Sequence, residues 1–200
     1  MSNQVITAIS NTAAVILAII CIGLFIHFIQ FLINLLFSKI IGPDATYIFL
    51  NKITFIGVIH HELSHALLAF ITGAKIVQVK LFKYDEEDGS LGQVVFYPRG
   101  PLLLRCIQDL FSSIAPTLYG GVSIFCLIYF ITYDAIWQYI VFGILIFCIF
   151  IHMDMSTQDL KIAAKGIPIL IIILFAIFYF TNFNLINYAI EYFKWGFYYE

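Results

Sequence analysis

Charge is what this chain has least of. Only 11% of its 200 residues are Asp, Glu, Lys or Arg, against about 25% in an ordinary soluble domain. So few charges could not keep a surface of this size in water, and a disordered, charge-solvated chain is excluded with it. A basic excess is missing too. Ten Lys and Arg against twelve Asp and Glu give a net charge of −2, so no field exists to hold a phosphate backbone and no nucleic-acid partner is expected. Cysteine is sparse and unpatterned. Cys21, Cys106, Cys126 and Cys148 lie apart in apolar stretches with no C-x-x-C spacing. That argues against a disulfide framework or a thiolate metal site and for small buried hydrophobes. No internal repeat or low-complexity linker is visible.

What remains is apolar. Hydrophobic residues make up 62% of the chain, against about 45–50% in soluble domains, and mean hydropathy is +0.98. The composition predicts an integral protein whose surroundings are the lipid bilayer. A spanning helix needs about 20 apolar residues, and five stretches qualify: residues 12–37, 47–72, 104–131, 135–153 and 167–180. The first is too long for a cleavable signal core and lacks a basic flank. The fifth opens at Pro168, a favoured first-turn position. Residues 182–200 mix aromatics with Glu191 and Lys194, the makeup of a tail lying along the membrane interface.

Between the second and third stretches the pattern changes. Val77, Val79 and Leu81 alternate with Gln78 and Lys80, the period of a strand. An acidic run ends in Asp88-Gly89, a turn signal, and residues 93–97 are β-branched and aromatic. A β-hairpin over 74–98 follows. Bare strand edges are not tolerated in lipid, so it is expected at the membrane surface or in a protein-lined cavity. The fold expected is an all-α polytopic membrane protein with about five transmembrane helices and this one small hairpin. It would form a single domain over 1–200 with its core at 47–165. Five spans put Lys75, Lys80, Lys83, Arg99, Arg105, Lys161 and Lys165 on one face and Lys39, Lys52 and Lys194 on the other. The basic-rich face is then cytoplasmic.

Within the second stretch lies His60-His61-Glu62-Leu63-Ser64-His65. His61, Glu62 and His65 make the pattern H-E-x-x-H. Histidines four apart share a helix face and can reach one Zn²⁺ at about 2.0–2.1 Å. Glu62, one position on, is placed to hold a metal-bound water and accept its proton. Ionisable residues inside a span are costly and functional by default. His60 points about 100° away and reads as structural. His27 shares a helical stripe with Gln30 and Asn34 and reads as an interhelical hydrogen-bonding group. A catalytic zinc wants a third protein ligand. Both Asp154 and Asp159, after the fourth span, fall near the required depth, with His152 a further candidate. Asp159 is preferred, although Ser156-x-x-Asp159 also reads as a helix capping box. Arg105 and Asp109 are spaced for an i,i+4 ion pair.

The chain resembles the site-2 protease family of intramembrane zinc metalloproteases over roughly residues 47–165. The resemblance is carried by His61-Glu62-Leu63-Ser64-His65 in a span, the hairpin after it, the proline in the third span and an aspartate after a later one. It implies a three-helix core, two histidines and an aspartate on zinc, and cleavage of a transmembrane segment of another protein. It further implies that the strand 77–82 or 93–97 pairs with unwound substrate. Two places depart from the family pattern. Residues 153–159 read Met-Asp-Met-Ser-Thr-Gln-Asp where an Asn-Pro-Asp-Gly-like signature often stands. Ala115-Pro116-Thr117-Leu118-Tyr119 puts tyrosine where a Gly-Pro-x-x-Asn-like motif has asparagine; Tyr119 offers a hydroxyl toward an oxyanion or serves as a packing residue. No PDZ-like segment is seen. The expectation is a zinc endopeptidase of the cell membrane, with Glu62 catalytic, His61, His65 and Asp159 on Zn²⁺, and the site toward the cytoplasm. The alternative is a non-enzymatic membrane metal-binding or transport protein.

Overall fold

A computed structural model describes residues 2–82, 91–130 and 135–198. Helix α1 (Asn3–Ile41) runs without a proline until Gly42, whose positive φ of 83° stops it. Pro43 then opens α2 (Pro43–Ile48), with its fixed φ suited to a first helical turn. One π-helical turn (Phe49–Ile53) follows, and then α3 (Phe55–Ile71). The strands β1 (Lys75–Lys80) and β2 (Gln93–Tyr97) precede α4 (Leu102–Phe130), α5 (Ile136–His152), α6 (Thr157–Thr181) and α7 (Leu185–Tyr198).

Two of these elements differ from the sequence expectation. The second apolar stretch is broken rather than straight: α2 with its π turn meets α3 at 55°. Neither Pro nor Gly marks the break. It falls where the π turn ends, at Thr54, whose N–H donates five residues back to the Phe49 carbonyl at 3.3 Å, and such π turns are a recognised cause of helix kinks. The fifth stretch starts about ten residues earlier than Pro168. Pro168 sits inside α6, which begins at Thr157 and joins the short capped helix to the apolar run.

The number of helices that meet the length and composition of a span is smaller than the five expected. Among the described residues three helices, α1, α4 and α6, are long and apolar enough to cross a membrane, and the bent pair counts as a fourth if taken as one span. The fifth candidate, α5, has 17 residues. At 1.5 Å per residue it is about 26 Å long, short of a hydrocarbon core of about 30 Å.

The chain divides into two compact units, residues 1–25 with 167–200, and residues 26–166. In the first, the amides of Gln4 and Asn11 donate to the carbonyls of Tyr179 and Phe183, each at 2.7 Å. The Tyr179 carbonyl lies in the last turn of α6, where the helix leaves it without a partner, and that of Phe183 in the link to α7. Asn182, at φ 53°, turns the chain there, a conformation Asn tolerates better than most residues. The tail expected at 182–200 contains α7.

In the second unit α3, α4 and α5 pack on one another. The contacts are intimate because α3 carries Gly57. A Cβ there would overlap the Cys148 carbonyl and the His152 ring of α5. The largest fully buried side chains of the protein include Gln108, Ser112, Ser113 and Pro116 of α4. Phe70, Leu102 and Phe125, by contrast, are about 70% exposed (72%, 68% and 69%). Small and polar groups inside with large apolar groups outside reverses the soluble pattern and suits a bilayer.

The hairpin stands where the alternation put it. β1 and β2 pair antiparallel, Lys75 with Tyr97 and Lys80 with Gln93. A bulge at Val77, between Ile76 and Gln78, breaks the alternation. Such an extra residue twists a strand locally. The acidic turn signal, ending in Asp88-Gly89, lies outside the described residues. Both roots of the hairpin are tied to α4 by one fully buried amide. Gln108 accepts the Arg99 N–H at 2.7 Å and donates to the Thr72 carbonyl at 2.8 Å.

Candidate metal centre

His61 and His65 sit one turn apart on α3, and their rings meet edge to face with centroids 4.7 Å apart. What aims them is backbone. His61 Nδ1 is 2.5 Å from the His152 carbonyl and His65 Nδ1 is 2.7 Å from the Ser112 carbonyl. A carbonyl only accepts, so each Nδ1 is the protonated nitrogen and each neutral ring offers the lone pair of Nε2. The two Nε2 atoms stand 3.0 Å apart. Two lone pairs facing at that distance repel unless a cation lies between them.

Asp159 closes the group. Its Oδ1 is 3.5 Å from His65 Nε2 and its Oδ2 is 3.9 Å from His61 Nε2. The ligand atoms of the three residues all fall within 4.8 Å of one another. Donors about 2.0–2.1 Å from one ion at tetrahedral angles are roughly 3.4 Å apart, close to the 3.0 Å between the two Nε2 atoms and the 3.5 Å from His65 Nε2 to Asp159 Oδ1. The donor set of two imidazoles and a carboxylate could hold a metal ion, and its chemistry fits Zn²⁺ among others. The fixed Nδ1–H···O=C bonds are the outer support such ligands ordinarily have.

The two readings of Asp159 hold together. Ser156 caps α6: its Oγ accepts the Asp159 N–H at 3.1 Å, while Asp159 Oδ2 accepts from Ser156 N at 2.9 Å and Oγ at 2.6 Å. The capping box thereby fixes the rotamer that carries Oδ1 toward His65. Asp154 goes elsewhere. Its Oδ2 is 2.6 Å from His27 Nδ1 and its Oδ1 accepts the Met155 N–H at 2.9 Å.

The other singled-out residues have structural partners. His60 Nε2 meets Ser123 Oγ at 2.9 Å. His152 Nε2 meets Thr54 Oγ1 at 2.9 Å; that hydroxyl already donates to Leu50, so His152 donates and its Nε2 has no lone pair for a metal. The contribution of His152 is its carbonyl. Gln30 donates to the Phe150 carbonyl at 2.7 Å, as interhelical bonding predicted, whereas Asn34 accepts from Ser38 of its own helix at 3.3 Å. Arg105 and Asp109 form no ion pair among the described residues; Asp109 lies in the field of both Arg105 and Lys165. Tyr119 is half-buried and does not line the cavity described next.

That cavity, of about 700 Å³, is bounded by His61, Glu62, His65 and Asp159 on one side and by residues of the hairpin's second arm, Gly92 to Phe96, on another. Glu62 is 9% exposed. Gly92, just before β2, lies so close that a Cβ on it would come 2.6 Å from Glu62 Cγ and 3.1 Å from Oε1. The chain leading into the hairpin therefore rests on the glutamate itself. Sequence reasoning missed Gly92, Gln108 and both orienting carbonyls. Pro116 was the one available signal, since a proline in a helix leaves the carbonyl four residues back without its donor.

No protein-family model, curated protein or solved structure matches this chain. Its chemistry therefore rests on the residues themselves. They assemble a possible metal site of two histidines and an aspartate, with a buried carboxylate beside it that lines the same cavity.

Proposed function

We propose that the protein is a zinc-dependent endopeptidase of the cell membrane, hydrolysing a peptide bond in a membrane-spanning partner, as its resemblance to site-2 proteases implies. The observation that carries this reading is Glu62: a carboxylate placed next to the His61–His65–Asp159 group, inside the same cavity and under the arm of a hairpin. A site built only to store or pass a metal has no need of it.

His61, His65 and Asp159 would hold the ion. When bound, Zn²⁺ supplies Lewis-acid chemistry, lowering the pKa of water to about 7 and polarising a carbonyl. Glu62 accepts the proton of the attacking water and returns it to the departing amine. Gly92 keeps the backbone near enough to shield that exchange, and the bonds of His61 and His65 to backbone carbonyls keep both rings fixed while it happens. A substrate helix hides its peptide bonds, so the cut segment must unwind, and the hairpin offers backbone groups to an extended chain.

The test is cleavage in proteoliposomes of single-span peptides carrying helix-weakening Gly or Pro. The wild-type protein with Zn²⁺ is expected to cut them and Glu62→Gln to lose about 10²–10⁴-fold in rate while keeping its metal. Equal cutting by both would refute the mechanism. Metal bound with no cutting by either would favour metal binding or transport.

A further inference from the structure

Three features compete for a role outside the group already described: the buried Gln108 clamp, the exposed His27–Asp154 pair, and the buried proline of α4. The last is tied to the metal centre by an atom-level contact. Pro116 lies in the interior of α4, fully buried. In an unbroken helix the carbonyl of Ser112 would accept the N–H of residue 116. Proline has none, and its ring pushes against that same carbonyl. The Ser112 carbonyl is the acceptor that His65 Nδ1 approaches at 2.7 Å, and Ser112 Oγ in turn donates to the His65 carbonyl at 3.2 Å.

The partner ring is treated alike. His61 Nδ1 bonds to the carbonyl of His152, the last residue of α5, where a helix runs out of its own donors. Both imidazoles are thus aimed by carbonyls released from helix ladders, one by a C-terminus and one by a proline. The released acceptor stands in the bundle, where a carbonyl without a donor is costly. The imidazole N–H satisfies it, and the ring is held in the tautomer that turns Nε2 to the ion.

We propose that Pro116 is a positioning residue of the metal centre: by withholding an N–H from Ser112 it reserves that carbonyl for His65 and fixes the His65 tautomer. This rests on the metal reading above. Replacing Pro116 with alanine restores a competing N–H and removes the ring that holds the carbonyl out.

The experiment is a chelator-competed Zn²⁺ titration of the purified full chain in detergent, comparing wild type, Pro116→Ala and Pro168→Ala. Pro168→Ala controls for loss of a helix proline away from His65. Pro116→Ala is expected to weaken binding about 10–100-fold, the range for an outer-sphere partner, with helical circular dichroism unchanged and Pro168→Ala near wild type. Wild-type affinity in Pro116→Ala overturns the proposal and leaves the metal reading standing; no Zn²⁺ binding by the wild type overturns both. Should Pro116→Ala fail to fold, ¹⁵N NMR of histidine-labelled, metal-free wild type decides. The proposal expects His65 as the Nδ1–H form, the minor one in free histidine, and finding it as Nε2–H contradicts the proposal.

Discussion

Asp159 turns one carboxylate oxygen to Ser156 and the other to His65, and the two contacts separate by mutation. Ser156→Ala removes the cap and should cost about 1 kcal/mol of stability with a modest loss of metal affinity. Asp159→Ala removes cap and ligand together and should weaken Zn²⁺ binding by more than about 100-fold, beyond what an outer partner costs. Thermal melts and metal titrations on the same preparations distinguish the two. If Ser156→Ala weakens metal binding as much as Asp159→Ala does, the carboxylate acts only through the cap. Gly92 makes a complementary case. Gly92→Ala puts a methyl into Glu62, so cleavage should fall at least tenfold while Zn²⁺ content stays at the wild-type level. Unchanged cleavage would show that the glutamate has room to move.

At the scale of elements, the hairpin is tethered at both roots by Gln108. Gln108→Leu leaves the Arg99 N–H and the Thr72 carbonyl without that partner. A loss of about 1–3 kcal/mol is expected, read as faster hydrogen exchange in 75–80 and 93–97; unchanged exchange there would mean the strands are held by their own pairing. How much of this was legible in sequence depends on what each element rests upon. The hairpin and the apolar helices were readable because periodicity and hydropathy are local. The bulge at Val77 was not, since two adjacent apolar residues, Ile76 and Val77, do not by themselves mark an unpaired position in a strand. The break at Thr54 was not either, because a π turn leaves no breaker residue to see. Pro168 misled for a related reason: proline reads as a helix start, yet membrane helices tolerate it inside. The histidine pair was legible from its spacing alone. The choice between Asp154 and Asp159 was not. It depends on His27, far away in the chain, and on one carboxylate serving two contacts that sequence spacing presents as rivals. Backbone carbonyls have no residue type, so the groups that aim the two rings had no signature beyond Pro116.

For the whole molecule, scarcity of charge and the exposure of large apolar side chains describe a protein that lives in lipid and has few ionisable groups inside it. Three of those few converge where a metal fits. A ligand that binds only the folded state stabilises it, by about 2.7 kcal/mol at a hundred times its dissociation constant. Saturating Zn²⁺ should therefore raise the melting temperature in detergent, chelator should reverse the shift, and His61→Ala or His65→Ala should abolish it. The most direct check of the central claim is the zinc content of purified wild type, Asp154→Ala and Asp159→Ala. One Zn²⁺ per chain is expected in the wild type and in Asp154→Ala, with loss in Asp159→Ala. A metal-free wild type, or zinc retained in Asp159→Ala and lost in Asp154→Ala, would contradict it.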